Sequence, residues 1–268
     1  MKTIVFANHK GGCGKTTTAF NLAVVLAAEG ASVLAVDLDQ QGNLSVAFGA
    51  DLAELEQTGR TTLRLMLDRQ GTYDAYAMNV RPRLDVIPCC LDYDAESIIE
   101  GTHLGRDLLL KKQLDRAQSR YDYCIIDTPP ALRPPTLNAL ATADLVIIPI
   151  ESSLFALVGL TQLLYMIGRA ADEYQPGMVI AALSTMYVET QKADRHIRSQ
   201  VLGRFKENVF QTCIPRSTSI AQGILECRSV YEKNPASAAA YAFHQFAQEV
   251  KETLHGEAEG TRDLERQY

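Results

Sequence analysis

Short apolar runs alternate along the chain with longer segments in which apolar residues return every three or four positions. The runs fall near residues 3–8, 32–37, 84–88, 122–127, 144–150 and 178–184, with a shorter one at 209–214. Several are apolar at consecutive positions, as in Cys124-Ile125-Ile126, which marks strands covered on both faces. Between the runs, the spacing predicts helices near 15–29, 61–69, 104–118, 136–142, 153–173, 192–206 and 236–254. Strands alternating with helices predict the α/β class: a single doubly wound, mostly parallel sheet with helices on both faces. No proline- or glycine-rich linker divides the chain and no internal repeat occurs, so one domain is expected over residues 1–254.

The first strand runs directly into His9-Lys10-Gly11-Gly12-Cys13-Gly14-Lys15-Thr16-Thr17, and a helical segment follows. This is a phosphate-binding loop. Glycines let successive backbone N–H groups turn inward towards an anion, and the helix N-terminus adds its positive end. At this spacing Lys15 reaches β- and γ-phosphates, and Thr16 offers its hydroxyl to Mg²⁺. The expected ATP contacts are Lys10, Gly11, Gly12, Cys13, Gly14, Lys15, Thr16 and Thr17. The strict pattern wants glycine where this chain has His9, and Lys10 adds a second lysine to the loop. A lysine inside the loop cannot easily turn back onto phosphates that its own backbone surrounds.

Two further strands end in acids. Val33-Leu34-Ala35-Val36-Asp37-Leu38-Asp39-Gln40-Gln41-Gly42-Asn43 places two alternating carboxylates at a strand's C-terminal edge. Open parallel sheets bind ligands at that edge. Tyr123-Cys124-Ile125-Ile126-Asp127-Thr128-Pro129-Pro130 ends in one aspartate and a proline-stiffened turn. In that position Asp127 holds Mg²⁺ through water.

With these motifs the sequence resembles the ParA/MinD family of deviant Walker A ATPases, most closely the small, Soj-like ParA partition ATPases. The likeness spans about residues 2–252 and includes Ile214-Pro215-Arg216-Ser217, which resembles the family's IPRS segment. The resemblance implies an ATP- and Mg²⁺-dependent sandwich dimer in which Lys10 crosses to the partner subunit's nucleotide. It assigns Asp39 to orienting the attacking water, so Lys10, Lys15 and Asp39 are the catalytic candidates. Asp37 is expected to orient the loop and join the metal shell with Thr16 and Asp127. Met186 and Pro215 are the candidates for the adenine pocket. Gln40 stands where the family usually has proline.

Composition narrows the choice within that family. No run reaches the roughly 18 apolar residues of a membrane span, and no secretory leader precedes the first strand, so a cytoplasmic protein is expected. With the phosphate-loop strand at the start of the sequence, no N-terminal helix-turn-helix is expected. Six cysteines (13, 89, 90, 124, 213 and 227) form no metal-binding spacing, unlike the cluster-bridged nitrogenase iron protein of the same lineage. Residues 255–268 are expected to form a flexible acidic tail. Between Glu249 and Tyr268 six acids face three bases, a poor membrane anchor and therefore unlike a MinD-type membrane-surface regulator.

Net charge is −6, yet six bases gather between 192 and 216: Lys192, Arg195, Arg198, Arg204, Lys206 and Arg216. Lys192, Arg195 and Arg198 recur at helical spacing. Such a face fits DNA phosphates without reading sequence, and a solvated helix presents the same pattern. The resemblance favours nonspecific double-stranded DNA, hence nucleoid association in the ATP state. It also implies a ParB-like or other adaptor that stimulates slow hydrolysis, with plasmid, chromosome or a protein assembly such as carboxysomes as cargo.

Overall fold

The computed structural model describes residues 1–101, 105–131, 133–152 and 159–256. The chain first forms β1 (Lys2–Phe6), α1 (Lys15–Ala28), β2 (Val33–Asp37), α2 (Asn43–Ala47), α3 (Leu52–Thr58) and α4 (Thr62–Leu67). An antiparallel hairpin of β3 (Met78–Arg81) and β4 (Leu84–Ile87) leads into α5 (Tyr93–Glu100), α6 (Leu109–Leu114), β5 (Tyr123–Asp127) and α7 (Pro134–Leu140). Next come β6 (Leu145–Glu151), α8 (Leu160–Tyr174), β7 (Val179–Tyr187), α9 (Lys192–Phe205) and β8 (Val209–Pro215). Three helices close the fold, α10 (Thr218–Leu225), α11 (Val230–Lys233) and α12 (Ala238–His255).

The eight strands form one sheet in the order β3-β4-β2-β5-β1-β6-β7-β8, parallel except for β3. From β1 the chain moves out to β2, and later it passes from β5 across β1 to β6. The topology therefore reverses at β1, and its C-terminal end is the position where such sheets bind ligands.

Alternate residues of the central strands feed two cores. Val5, Leu34, Val36, Ile126, Val146 and Ile148 face one layer of helices. Ile4, Phe6, Val33, Ala35, Ile125 and Ile147 face the other, which includes α1 and α12. Burying each large apolar side chain contributes about 1.5–3 kcal/mol. This two-sided burial explains why the strands read as uninterrupted apolar runs. Four of the six cysteines (13, 89, 90 and 124) are buried.

The structure departs from the sequence reading at the margins. It adds β3, an edge strand whose four residues end at Pro82. The helix expected at 104–118 contracts to α6, flanked by single 3-10 turns, with residue 104 outside the described residues. The helix expected from 153 is described from Leu160 as α8, and residues 153–158 lie outside the described residues. So does the expected acidic tail from residue 257 onward.

Candidate nucleotide site

The loop after β1 is held from three sides. The Asn8 amide donates to the Pro149 carbonyl of β6 (2.7 Å), and its oxygen accepts from the Lys10 amide (3.0 Å). Thr185 of β7 donates its hydroxyl to the Cys13 carbonyl (2.8 Å), and the buried Cys13 thiol lies 3.2 Å from the Lys10 carbonyl. Burial pushes that thiol's pKa up. Gly12 (φ +75°) and Gly14 (φ +90°) take the left-handed conformation that only glycine adopts without strain. Gly14 starts α1 without a side-chain cap, and the first turn carries no acid. The amides there are open to an anion. Lys15 is buried at the floor, its Nζ 3.4 Å from the Lys10 carbonyl. Gly11 is exposed at the loop tip, while Thr16 and Thr17 are half-buried in the first turn of α1.

His9, where the strict motif has glycine, lies against Gly159 at the head of α8. A Cβ added to Gly159 would stand 2.5 Å from the His9 Nε2, so the missing side chain at 159 makes room for the extra one at 9.

Asp37 and Asp127 sit side by side as register partners at the ends of β2 and β5, both fully buried. Asp37 accepts from the Ser45 amide (2.9 Å), the Ser45 hydroxyl (2.7 Å) and the Asp39 amide (3.0 Å). Burial pushes its pKa up to about 7 against those hydrogen bonds, and the Asp39 charge adds to the rise. Asp127 differs, because among the described residues neither buried oxygen has a hydrogen-bond partner. Burial, with the Asp37 charge, raises its pKa well above the carboxylate range, against the nearby Thr16 hydroxyl and Lys15 ammonium. An unsatisfied buried carboxylate beside a threonine hydroxyl and an open helix N-terminus suits a hard cation held partly by phosphate oxygens. These residues fit Mg²⁺. Asp37, expected both to orient the loop and to join the metal shell, holds with its two oxygens the loop that begins at Asp39.

Asp39 is half-buried at the rim, its carboxylate accepting from the Gln41 amide (3.1 Å). The Lys10 ammonium pairs with Glu151 at the end of β6 in the same chain. Among the described residues no cluster of three or more His, Cys, Asp or Glu forms a metal cage.

A family profile described as "AAA domain" matches residues 1–180. The chromosome partitioning protein ParA of Caulobacter vibrioides is 34% identical over 254 residues, covering 93% of this chain and 94% of the relative. The chain belongs to the ParA/Soj family of partition ATPases. Soj of Bacillus subtilis, described as a sporulation initiation inhibitor protein, is 32% identical over 250 residues, 93% of this chain and 98% of its own. Among solved structures, a Mycobacterium smegmatis protein described as cobyrinic acid a,c-diamide synthase, with bound ATP analogue and magnesium, superposes with a TM-score of 0.80. It is 28% identical, with 94% of this chain and 95% of that one covered. The protein is therefore a P-loop ATPase of the ParA type.

Within this ParA-type frame, the ends of β7 and β8 lie together: Tyr187 and Pro215 are register partners, and the Arg216 amide donates to the Tyr187 carbonyl (3.3 Å). Met186 adopts φ +52°, an unusual value for a side-chain-bearing residue. The two adenine candidates thus sit at one edge, beside Thr185 and the loop.

The six bases do not form one patch. Lys192, Arg195 and Arg216 are exposed near the C-terminal sheet edge. Arg198 is half-buried over the Tyr187 ring, donating to the Ser184 hydroxyl (3.1 Å) and the Gln211 carbonyl (2.9 Å). Arg204 donates to the Thr161 hydroxyl of α8 (2.7 Å). Lys206 follows the far end of α9, about 20 Å from Lys192 at 1.5 Å per helical residue. Arg198 and Arg204 therefore bridge neighbouring elements as well as belonging to the basic helix.

Sequence reasoning passed over Glu151, Ser45 and Asn8. Glu151 had one available signal: it is a third acid at the C-terminal end of a buried strand.

Proposed function

We propose that the chain is an ATP-gated partition ATPase that closes as a dimer on ATP, binds DNA without reading its sequence, and is released by hydrolysis. The loop amides and α1 hold the phosphates, with Lys15 at the β- and γ-oxygens and Met186 and Pro215 beside the adenine. Thr16 and, through water, Asp127 hold Mg²⁺. Bound Mg²⁺ offsets the charge that builds on the phosphate oxygens during hydrolysis. Asp39 orients the water that attacks the γ-phosphorus, giving ADP and phosphate. Lys10 reaches the partner subunit's nucleotide. Loss of the γ-phosphate releases the loops after β2 and β5, and the dimer opens.

One observation carries this reading: Lys10 is built into the phosphate loop by its backbone, while its ammonium is ion-paired with Glu151 at the neighbouring strand end. A second lysine in a loop whose floor Lys15 already occupies supports a target outside the subunit. Lys192, Arg195 and Arg216 supply DNA phosphate contacts, and pairing two such patches in a dimer multiplies avidity. No helix among the described residues is long and apolar enough to cross a membrane, and a cytoplasmic, nucleoid-associated ATP state follows from the DNA reading. The partitioning relatives support a replicated DNA molecule as cargo, reached through a ParB-like adaptor that stimulates turnover.

Sedimentation with Mg²⁺ and a nonhydrolysable ATP analogue should show a dimer that shifts DNA of unrelated sequences. Asp39→Ala should accumulate DNA-bound dimers with ATP itself. Unchanged turnover in Asp39→Ala would refute the assigned role, and a monomer under all nucleotide conditions would refute the dimer.

A further inference from the structure

The turn that carries Asp39 is tied down unevenly. It closes through the Gly42 amide on the Asp39 carbonyl (2.9 Å). Its entry is fixed by the Asp39 amide on Asp37, and its exit by Ser45 on the same carboxylate. The tip between them is held from outside by a side chain. Gln40 Oε1 accepts from the Asp92 amide at 3.0 Å. A backbone N–H only donates, so the Gln40 amide must turn its oxygen to it.

Asp92 is itself a junction. It caps α5 by accepting from the Ala95 amide (3.0 Å), and both of its oxygens pair with the Arg64 guanidinium of α4, one of them at 2.8 Å. The start of α4 is pinned in turn to the strand end after β4, with the Thr62 amide 2.8 Å from the Pro88 carbonyl. Gln40 thus hooks the nucleotide-facing turn to a clamp made of α4, α5 and the end of β4.

Gln40 occupies the second position of the turn, where proline fixes the backbone through its own ring. Glutamine leaves the backbone free. Order at Asp39 then depends on a tertiary contact about fifty residues away in sequence, at Asp92.

We propose that Gln40 is a positioning residue for hydrolysis, holding Asp39 in place through the Asp92 amide. The proposal rests on the water-orienting reading of Asp39. The Gln40 side chain touches neither phosphate nor water in this scheme, so it acts on the chemical step through Asp39 and leaves nucleotide binding to the loop and α1.

Steady-state ATPase assays on the full chain, with Mg²⁺ and ATP, test it together with amide exchange at Asp92 by NMR. Gln40→Ala should lower kcat about fivefold, the equivalent of one ordinary hydrogen bond, with KM unchanged. Exchange at Asp92 should accelerate in the same variant. Gln40→Glu keeps an acceptor and should hold kcat well above the alanine variant. Gln40→Ala with kcat within 1.5-fold of the wild type (a threshold set by about 0.2 kcal/mol), or with Asp92 exchange unchanged, overturns the assignment. So does a glutamate variant as slow as the alanine one. An Asp39→Ala control separates two failures. If it turns over normally, the water-orienting reading falls; if it is inactive while Gln40→Ala is normal, only the Gln40 assignment falls.

Discussion

The Lys10 ammonium is ion-paired with the Glu151 carboxylate of its own chain, both side chains being mostly buried at 28% and 20% exposure. If Lys10 must leave this partner to reach a second subunit, the pair opposes dimerisation by its own worth, on the order of 1 kcal/mol. Glu151→Gln should then lower the concentration for half-dimerisation with ATP analogue about fivefold, read by sedimentation velocity. A higher concentration would mean that Glu151 supports the closed dimer instead.

Asp37 makes the fold sensitive to pH in a defined direction. Its folded-state pKa of about 7 lies above the ordinary carboxylate value of about 4. Between those limits the folded protein keeps a proton that the unfolded chain has released. Stability from this group is complete at low pH, falls as pH rises towards 7, and levels off above. Asp37→Asn lacks that proton. Urea unfolding from pH 4.5 to 8 should therefore show the wild-type advantage over the variant shrinking towards pH 7.

The His9–Gly159 contact predicts a non-additive pair. Gly159→Ala places a methyl group 2.5 Å from the His9 ring and strains a backbone at φ +79°. It should displace the loop and weaken ATP binding about tenfold, roughly the effect of 1.4 kcal/mol. Adding His9→Gly removes the clash and should recover most of the affinity, while the backbone strain persists as a small loss in Tm. Equal affinity for single and double variants in a nucleotide titration would disprove the coupling.

For DNA, the split of the basic residues gives opposite expectations within one helix. Replacing exposed Lys192 or Arg195 by alanine should weaken binding to all sequences and reduce the salt slope by about 1 for each phosphate that is no longer neutralised. Arg198→Ala should instead lower Tm, because it removes two hydrogen bonds between α9, β7 and β8. Gel shifts across a salt series, beside thermal melts, distinguish the two.

The strands and the cradle were legible because their signals are local. A buried parallel strand is apolar at every position, and the glycines, lysines and threonine of the loop are contiguous. β3 was missed because it is short, ends at Pro82 and is only partly buried, so its pattern carries little contrast. Short α2, α3 and α5 are fixed by turns and caps such as Asp51 and Asp92 rather than by an apolar stripe. Lys10–Glu151 and Gln40–Asp92 join residues 141 and 52 positions apart, a separation at which no spacing rule operates. Arg198 has the sequence signature of a surface base, and only the neighbouring Tyr187, Ser184 and Gln211 reveal that it is mortar between elements.

α1 is buried over most of its circumference, from Thr18 through Ala27, between the sheet and the closing helices. A rod wedged so firmly cannot pivot when its tip gains or loses a charged guest. A change on binding the guest is therefore expected in the loops beyond the strands around it, at Asp39, Thr128 and Glu151. The part of the molecule that grips hardest is thus expected to move least, leaving sensing to the thinner segments at its rim.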